Sequence, residues 1–229
     1  MCALRQVALA GHPCFGRLVC PFMLFGRADL RRDMLALLAS VGLCLTLPML
    51  PPGHGRAALR QVVEVMVGLE DPDSVRYALE FLMALCYAPA ENGPFLEELR
   101  DHLAVRLGAL LVLPAPVALH SAALQTACRL AALGATWPLH SFRCSTFPPQ
   151  EALARQPCLC AALVRMANCA RSPDMAPLSL LAAKLIQTLA GHPQARHWLR
   201  PYQGAIAAAA LEEGIPGAGM LAQALWGLS

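Results

Sequence analysis

Leu189-Ala190-Gly191-His192-Pro193-Gln194-Ala195-Arg196 closes one apolar helical stripe with a proline turn and opens another apolar segment. The phrase recurs as Leu9-Ala10-Gly11-His12-Pro13 and, more loosely, as Leu85-Cys86-Tyr87-Ala88-Pro89. A helix, a proline turn and a further helix, written several times, is how a chain encodes a stack of helical units. Such a pattern describes a scaffold rather than a reaction.

Outward from that phrase, the chain is a succession of amphipathic helices. Leu30, Met34, Leu37, Leu38, Val41 and Leu45 share one face of a helix predicted over 29–47, with Asp29 as its N-cap and Pro48, Pro51, Pro52 and Gly53 ending it. A second is predicted over 57–69. Glu70-Asp71-Pro72-Asp73-Ser74 then forms a capping turn before a helix whose stripe is Val75, Leu79, Leu82 and Cys86. Pro94 is placed as the first residue of a helix carrying Phe95, Leu96, Leu99, Leu103, Leu107 and Leu110, broken at Pro114 and Pro116. The next helix, 117–133, stops at Gly134. Further helices are predicted over 157–170, 177–190, 195–212 and 216–228. Residues 1–26 read as an irregular N-terminal edge and 27–229 as a single α-solenoid. The stretch 135–150, with Trp137, Pro138, Pro148 and Pro149, is a hinge or exposed loop. No Asn-Gly or Asp-Gly hairpin signal lies between alternating runs, so the reading is all-α.

Composition agrees. Hydrophobic residues make up 57% of the 229-residue chain and charged ones 14%, so far more apolar surface must be hidden than a typical soluble domain carries. Alanine and leucine dominate and aromatics are only 6%, which suits close helix packing. A net charge of +3, scattered along the chain, excludes a surface built on phosphate contacts. Of the 18 basic residues only Lys184 is lysine, so nearly every cation is an arginine that forks onto carboxylates or lies across apolar surface.

The region from Lys184 to Leu211 carries a family trace: Leu185-Ile186-Gln187-Thr188-Leu189-Ala190, then Pro193, Arg196, Leu199, Gly204-Ala205-Ile206 and Leu211. It resembles the end of one armadillo repeat and the start of the next, and Leu85, Pro89, Asn92 and Leu96 give a weaker copy. Pro13 and Pro89 are 76 residues apart, near two repeats, but Pro89 and Pro193 are 104 apart, off that register. Ala3-Leu4-Arg5-Gln6-Val7 and Ala58-Leu59-Arg60-Gln61-Val62 are 55 apart, off it too. The resemblance implies an irregular armadillo/HEAT-like solenoid used for protein interaction.

Reactive constellations are scarce. Cys158 and Cys160, with Cys169, Cys144 or His140, offer soft ligands, but the second cysteine pair of a structural zinc site is missing. Cys44, Cys86, Cys128 and Cys169 read as small core residues, and His192 and His197 as a turn residue and a helix-face residue. Neither a nucleophile elbow nor a phosphate loop occurs; Glu97, Glu98 and Asp101 form a solvated face with Arg100, and Gly214, Gly217 and Gly219 a loop. No catalytic residue, metal or cofactor is assigned. Met34–Leu50 and Leu107–Cys128 are uncharged and nominate a multi-pass membrane protein as the alternative, although prolines interrupt both.

The function expected is a non-catalytic scaffold or adaptor gripping a protein or peptide partner, acting by itself or as a segment of a larger protein. Arg60, Glu64, Arg76, Glu80, Arg165 and Arg196 interrupt apolar stripes at an outward phase and are the candidate partner-binding residues. Met220, Leu221, Leu225, Trp226 and Leu228 make the last helix apolar where a solenoid end is usually polar, which predicts self-association or capping there. The opening Met1-Cys2-Ala3-Leu4-Arg5-Gln6 has no secretory pattern, so the expected location is intracellular, cytoplasmic or nuclear.

Overall fold

The computed structural model describes residues 28–42, 59–60, 62–64, 71–87, 89–136, 149–169 and 173–229. The irregular edge expected over 1–26, Cys44, and the 137–148 portion of the expected hinge lie outside them. Every element among the described residues is helical. The chain divides into two compact units, Met1–Leu99 and Arg100–Ser229.

In the first unit, α1 (Ala28–Val41) packs on α2 (Pro72–Leu85), and α3 (Pro89–Glu98) follows. Of the expected α1 stripe Leu38 and Val41 are buried and Met34 and Leu37 half-buried, whereas Leu30 is exposed and Leu35 is buried in its place; the α2 side of the core is Val75, Leu79, Phe81 and Leu82. Each such side chain, taken fully from water, contributes about 1.5–3 kcal/mol. Asp71 caps α2 as read from the sequence: its carboxylate accepts the Asp73 amide at 3.2 Å and the Ser74 hydroxyl, and the Ser74 bond holds that carboxyl below its ordinary range. α1 contains Asp29 rather than starting after it. Pro94 lies inside α3, not at a helix start. The helix begins at Pro89, and the wholly buried Asn92 turns its amide back to donate to the Leu85 carbonyl at the end of α2, 3.1 Å away. A carbonyl without an intrahelical partner is thereby satisfied.

The second unit contains α4 (Arg100–Val112), α5 (Val117–Thr136), α6 (Pro149–Ala154), α7 (Pro157–Asn168), α8 (Ala176–Ala190), α9 (Pro193–Leu199), α10 (Gln203–Leu211) and α11 (Ala218–Leu228). Their packing sorts them into rows. α4, α7 and α10 lie side by side in one, α5, α8 and α11 in a second, and the short α6 and α9 in a third. Read along the chain, α6-α7-α8 is one three-helix repeat and α9-α10-α11 the next, with α4-α5 as the two longer helices of the repeat before them. Within each, the two long helices pack on one another.

The three-helix unit corrects several boundaries. The predicted helix over 195–212 is two helices, because Pro201 has no amide hydrogen and its ring clashes with the preceding turn; a 3-10 turn, Arg200–Tyr202, occupies the break. α6 falls partly inside the expected loop 135–150, and α5 runs through Gly134 to Thr136. α11 starts at Ala218, two residues after Pro216. The run that opened at Pro94 is interrupted at Leu99, although Leu96, Leu99, Leu103, Leu107 and Leu110 are all buried as its stripe requires.

Small residues set the spacing of α8 and α11. A Cβ at Gly217 would fall onto that of Ala183, and one at Gly227 would stand 3.0 Å from the Ala190 carbonyl oxygen. Both numbers rise together along the two helices, so α8 and α11 run parallel. Gly214 takes φ +85° in the turn before α11, a left-handed conformation that glycine adopts without a Cβ penalty. Gly217→Val is expected to destabilise the chain by about 1–3 kcal/mol through overpacking. Chemical denaturation checks this, with Gly219→Ala, where a Cβ meets open space, as the matched control.

Candidate partner-binding face

The α5-α8-α11 row carries exposed or half-buried polar side chains on each of its three helices. On α5, Gln125 is exposed and its amide donates to the Ser121 hydroxyl at 3.3 Å. Three residues on, the Cys128 thiol donates to the Leu181 carbonyl of α8 at 3.7 Å, tying the two helices together. Burial pushes that thiol up to about 11, while the positive charges of Lys184 and Arg129 pull the other way, so Lys184 lies beside this junction. Lys184 is exposed, and Gln187 and Thr188 follow it at helical spacing on the same side. Gln187 donates to the side-chain oxygen of Gln223 on α11. Three residues past Gln223 stands Trp226, 88% exposed. Amides, one ammonium and one open indole can offer hydrogen bonds, a charge and an apolar face to a ligand.

The arginines singled out from the sequence are placed elsewhere. Arg165 on α7 donates to the Leu111 carbonyl of α4 at 3.2 Å, and Arg196 on α9 to the Ala190 carbonyl of α8 at 2.8 Å. Both acceptors belong to the last turn of a helix, where carbonyls lack intrahelical partners and a cation also meets the negative end of the dipole. In the first unit Arg76 pairs with Glu80 at 3.0 Å and Asp73 at 3.5 Å along α2. Arg60 pairs with Glu98 at 3.2 Å, and Glu64 is exposed. The structure therefore joins Arg76 to Glu80 but distributes the six residues over several helices. Gln125, Gln187 and Gln223 went unread because no charge marks them and the Gln187–Gln223 pair spans two repeats.

Cys86 is buried and Cys128 mostly so, as core residues should be, whereas Cys169 is exposed at the end of α7. Cys160 is buried and pushed up to about 12 by that burial; Cys158 is exposed. Among the described residues no group of three His, Cys, Asp and Glu is placed to hold a metal ion, and Cys144 and His140 lie outside them. Asp101 is exposed and pairs with Arg100 at 3.3 Å, but the Arg100 side chain is mostly buried, so the face expected to be solvated is only partly so. His192 occupies the N-cap position of α9 and His197 is exposed, its ring edge-on to Trp198. Among the described residues no helix is long and apolar enough to cross a membrane. Met34–Leu50 leaves its helix at Val41, and Leu107–Cys128 is split between α4 and α5 by residues 113–116.

Rows of three-helix units, each shielding the next, define an all-α armadillo-like solenoid. The designed armadillo repeat protein YIII(Dq)4CqI matches with a TM-score of 0.65 at 14% identity, over 99% of this chain and 92% of that one. A second designed armadillo repeat protein, YIII(Dq.V1)4CPAF in complex with peptide (KR)4, matches at 0.65 and 11% identity over 99% and 91%. Computationally designed armadillo repeat proteins for modular peptide recognition match at 0.68 and 12% identity, over 99% and 92%. No family model and no curated protein matches the sequence. The α-solenoid expected from the proline phrases is thus the fold of the chain, with a third short helix added to each hairpin.

Two measurements follow. Under native conditions near pH 8, Cys158 and Cys169 are expected to alkylate quickly while Cys86, Cys128 and Cys160 resist until denaturant is added, as peptide mapping of modified thiols would show. His192 is held below its ordinary value of 6.5, by burial first and by Arg196, against an upward pull from Glu151. The unfolded chain therefore takes up this proton more readily, and the stability its neutral form supports is complete above 6.5 and declines as pH falls below it. The melting temperature should drop on acidification from about pH 7.5 to 5.5, and His192→Asn should flatten that dependence.

Proposed function

We propose that this chain is a non-catalytic interaction scaffold that holds an extended protein segment along the outward side of α5, α8 and α11. The observation that carries the reading is the set of side chains we call the strip: Gln125, Lys184, Gln187, Gln223 and Trp226 present hydrogen-bonding groups, a charge and an aromatic anchor along consecutive repeats. An extended segment needs partners for its backbone at regular intervals, and side-chain amides supply both donor and acceptor. The solved structure with peptide (KR)4 supports the use of this fold for a peptide partner. Arg165 and Arg196 serve the scaffold in this reading by finishing helices, while Arg60, Glu64, Arg76 and Glu80 belong to the first unit.

A second reading has its own observation. Trp226 is 88% and Leu211 84% exposed, which supports a contact made through the α10-α11 side with a second copy or a covering partner.

Selection from a library of displayed extended peptides tests the first reading. Peptides recovered on the native chain are expected to lose at least about tenfold in affinity, roughly 1.4 kcal/mol, for a variant carrying Gln125→Ala, Lys184→Ala, Gln223→Ala and Trp226→Ala with unchanged circular dichroism. Equal affinity for that variant would show that the strip is not the binding face. Light scattering across a concentration series addresses the second: a monomer at all concentrations removes self-association.

A further inference from the structure

We infer that the segment held by the α5-α8-α11 strip is acidic. The inference rests on the reading just given and adds the chemical class of the partner. α5, α8 and α11 contain no aspartate or glutamate along their whole lengths, while Arg129 and Lys184 bring two cations to them. Lys184, the sole lysine of the chain, is exposed at the middle helix, and among the described residues no carboxylate is within ion-pairing distance of its ammonium. An ammonium left so is hydrated and mobile, and pairs with a carboxylate that arrives from outside.

The wider field has the same sign. Residues 100–229 hold ten arginines and lysines against five carboxylates, and residues 1–99 hold eight against ten. The unit that carries the strip is therefore cationic although the chain is nearly neutral. Of its five carboxylates, Asp101 is paired with Arg100, Glu151 is buried, and Asp174, Glu212 and Glu213 lie in turns outside the three helices. A surface with this balance steers an acidic segment towards it and repels a basic one. The designed relative solved with (KR)4 takes a peptide of the opposite sign. Around Lys184 the amides of Gln125, Gln187 and Gln223 complete the grip. Gln187 donates to Gln223, which leaves the Gln187 oxygen and the Gln223 nitrogen for the backbone of the segment. Neighbouring helices in such a row lie about 8–10 Å apart, and an extended chain advances about 3.3 Å per residue, so about six residues pass all three helices.

Fluorescence anisotropy with the full chain and three labelled peptides of about eight residues tests this: alternating Asp-Glu, the basic (KR)4, and alternating Ser-Gln. The acidic peptide is expected to bind at least about tenfold more tightly than the neutral one at physiological salt, with no binding of the basic one. Lys184→Glu is expected to abolish that preference, and circular dichroism of the variant verifies its fold. Equal affinity for acidic and neutral peptides, preference for (KR)4, or a Lys184→Glu chain that keeps the acidic preference overturns the acidic assignment while leaving peptide binding in place. Failure of all three peptides to bind removes the peptide-binding reading as well. Displacement of the acidic peptide by an equally charged single-stranded oligonucleotide at the same concentration would show a general polyanion surface and would also overturn the assignment.

Discussion

The structure of the second unit depends on the close approach of helices that cannot hide their own apolar sides. α8 touches α5, α7, α9 and α11, and Leu178, Ala182, Ala183, Leu185, Ile186, Leu189 and Ala190 are all buried among them. A helix alone would leave that surface in water, and a pair would cover half of it. Stacking by repeats is what makes a chain of this composition stable, because each unit supplies the cover its predecessor lacks. Hydrogen bonds refine the same arrangement: within a repeat Ser179 donates to the Ala167 carbonyl at 2.9 Å, and between repeats Tyr202 donates to the Pro157 carbonyl at 3.2 Å. They link elements already brought together by apolar burial, each adding about 1 kcal/mol.

The proline turns made the stacking visible in the sequence. Pro89 and Pro193 each open a short helix, which is why the phrases around them look alike. The irregular spacing has a physical source too. Pro149 opens the short helix between them, so the interval divides into 60 and 44 residues, and the longer step contains residues 137–148. Short helices were the hardest to see: α6 has six residues, too few for an apolar period to show, and sits in a proline-rich stretch. At Leu99 the opposite problem arises, since the stripe of buried leucines continues across the break. Pro201 did announce its break, but alanines on its far side keep the helical period going and mask it.

The proposed binding face was less legible than the fold. Charged residues attract attention because they interrupt apolar stripes, yet a guanidinium reaching a helix-end carbonyl does so for packing, as Arg165 and Arg196 do. Glutamines on consecutive repeats carry no such mark. That Gln187 and Gln223 meet depends on the register between α8 and α11, which a single sequence does not express. Lys184 was conspicuous as a lone lysine, but its position next to Cys128 and at the centre of a row without carboxylates belongs to three dimensions.

Gly217 and Gly227 fix more than stability. Because Gly217 meets the Ala183 methyl and Gly227 the Ala190 backbone of α8, the interval between α8 and α11 is set by groups without rotamers. The exposed groups on those helices are therefore graduations on a rigid ruler. Exchanging Gln223 or Trp226 for another residue would change what is read at that mark and leave the stride between marks as it is.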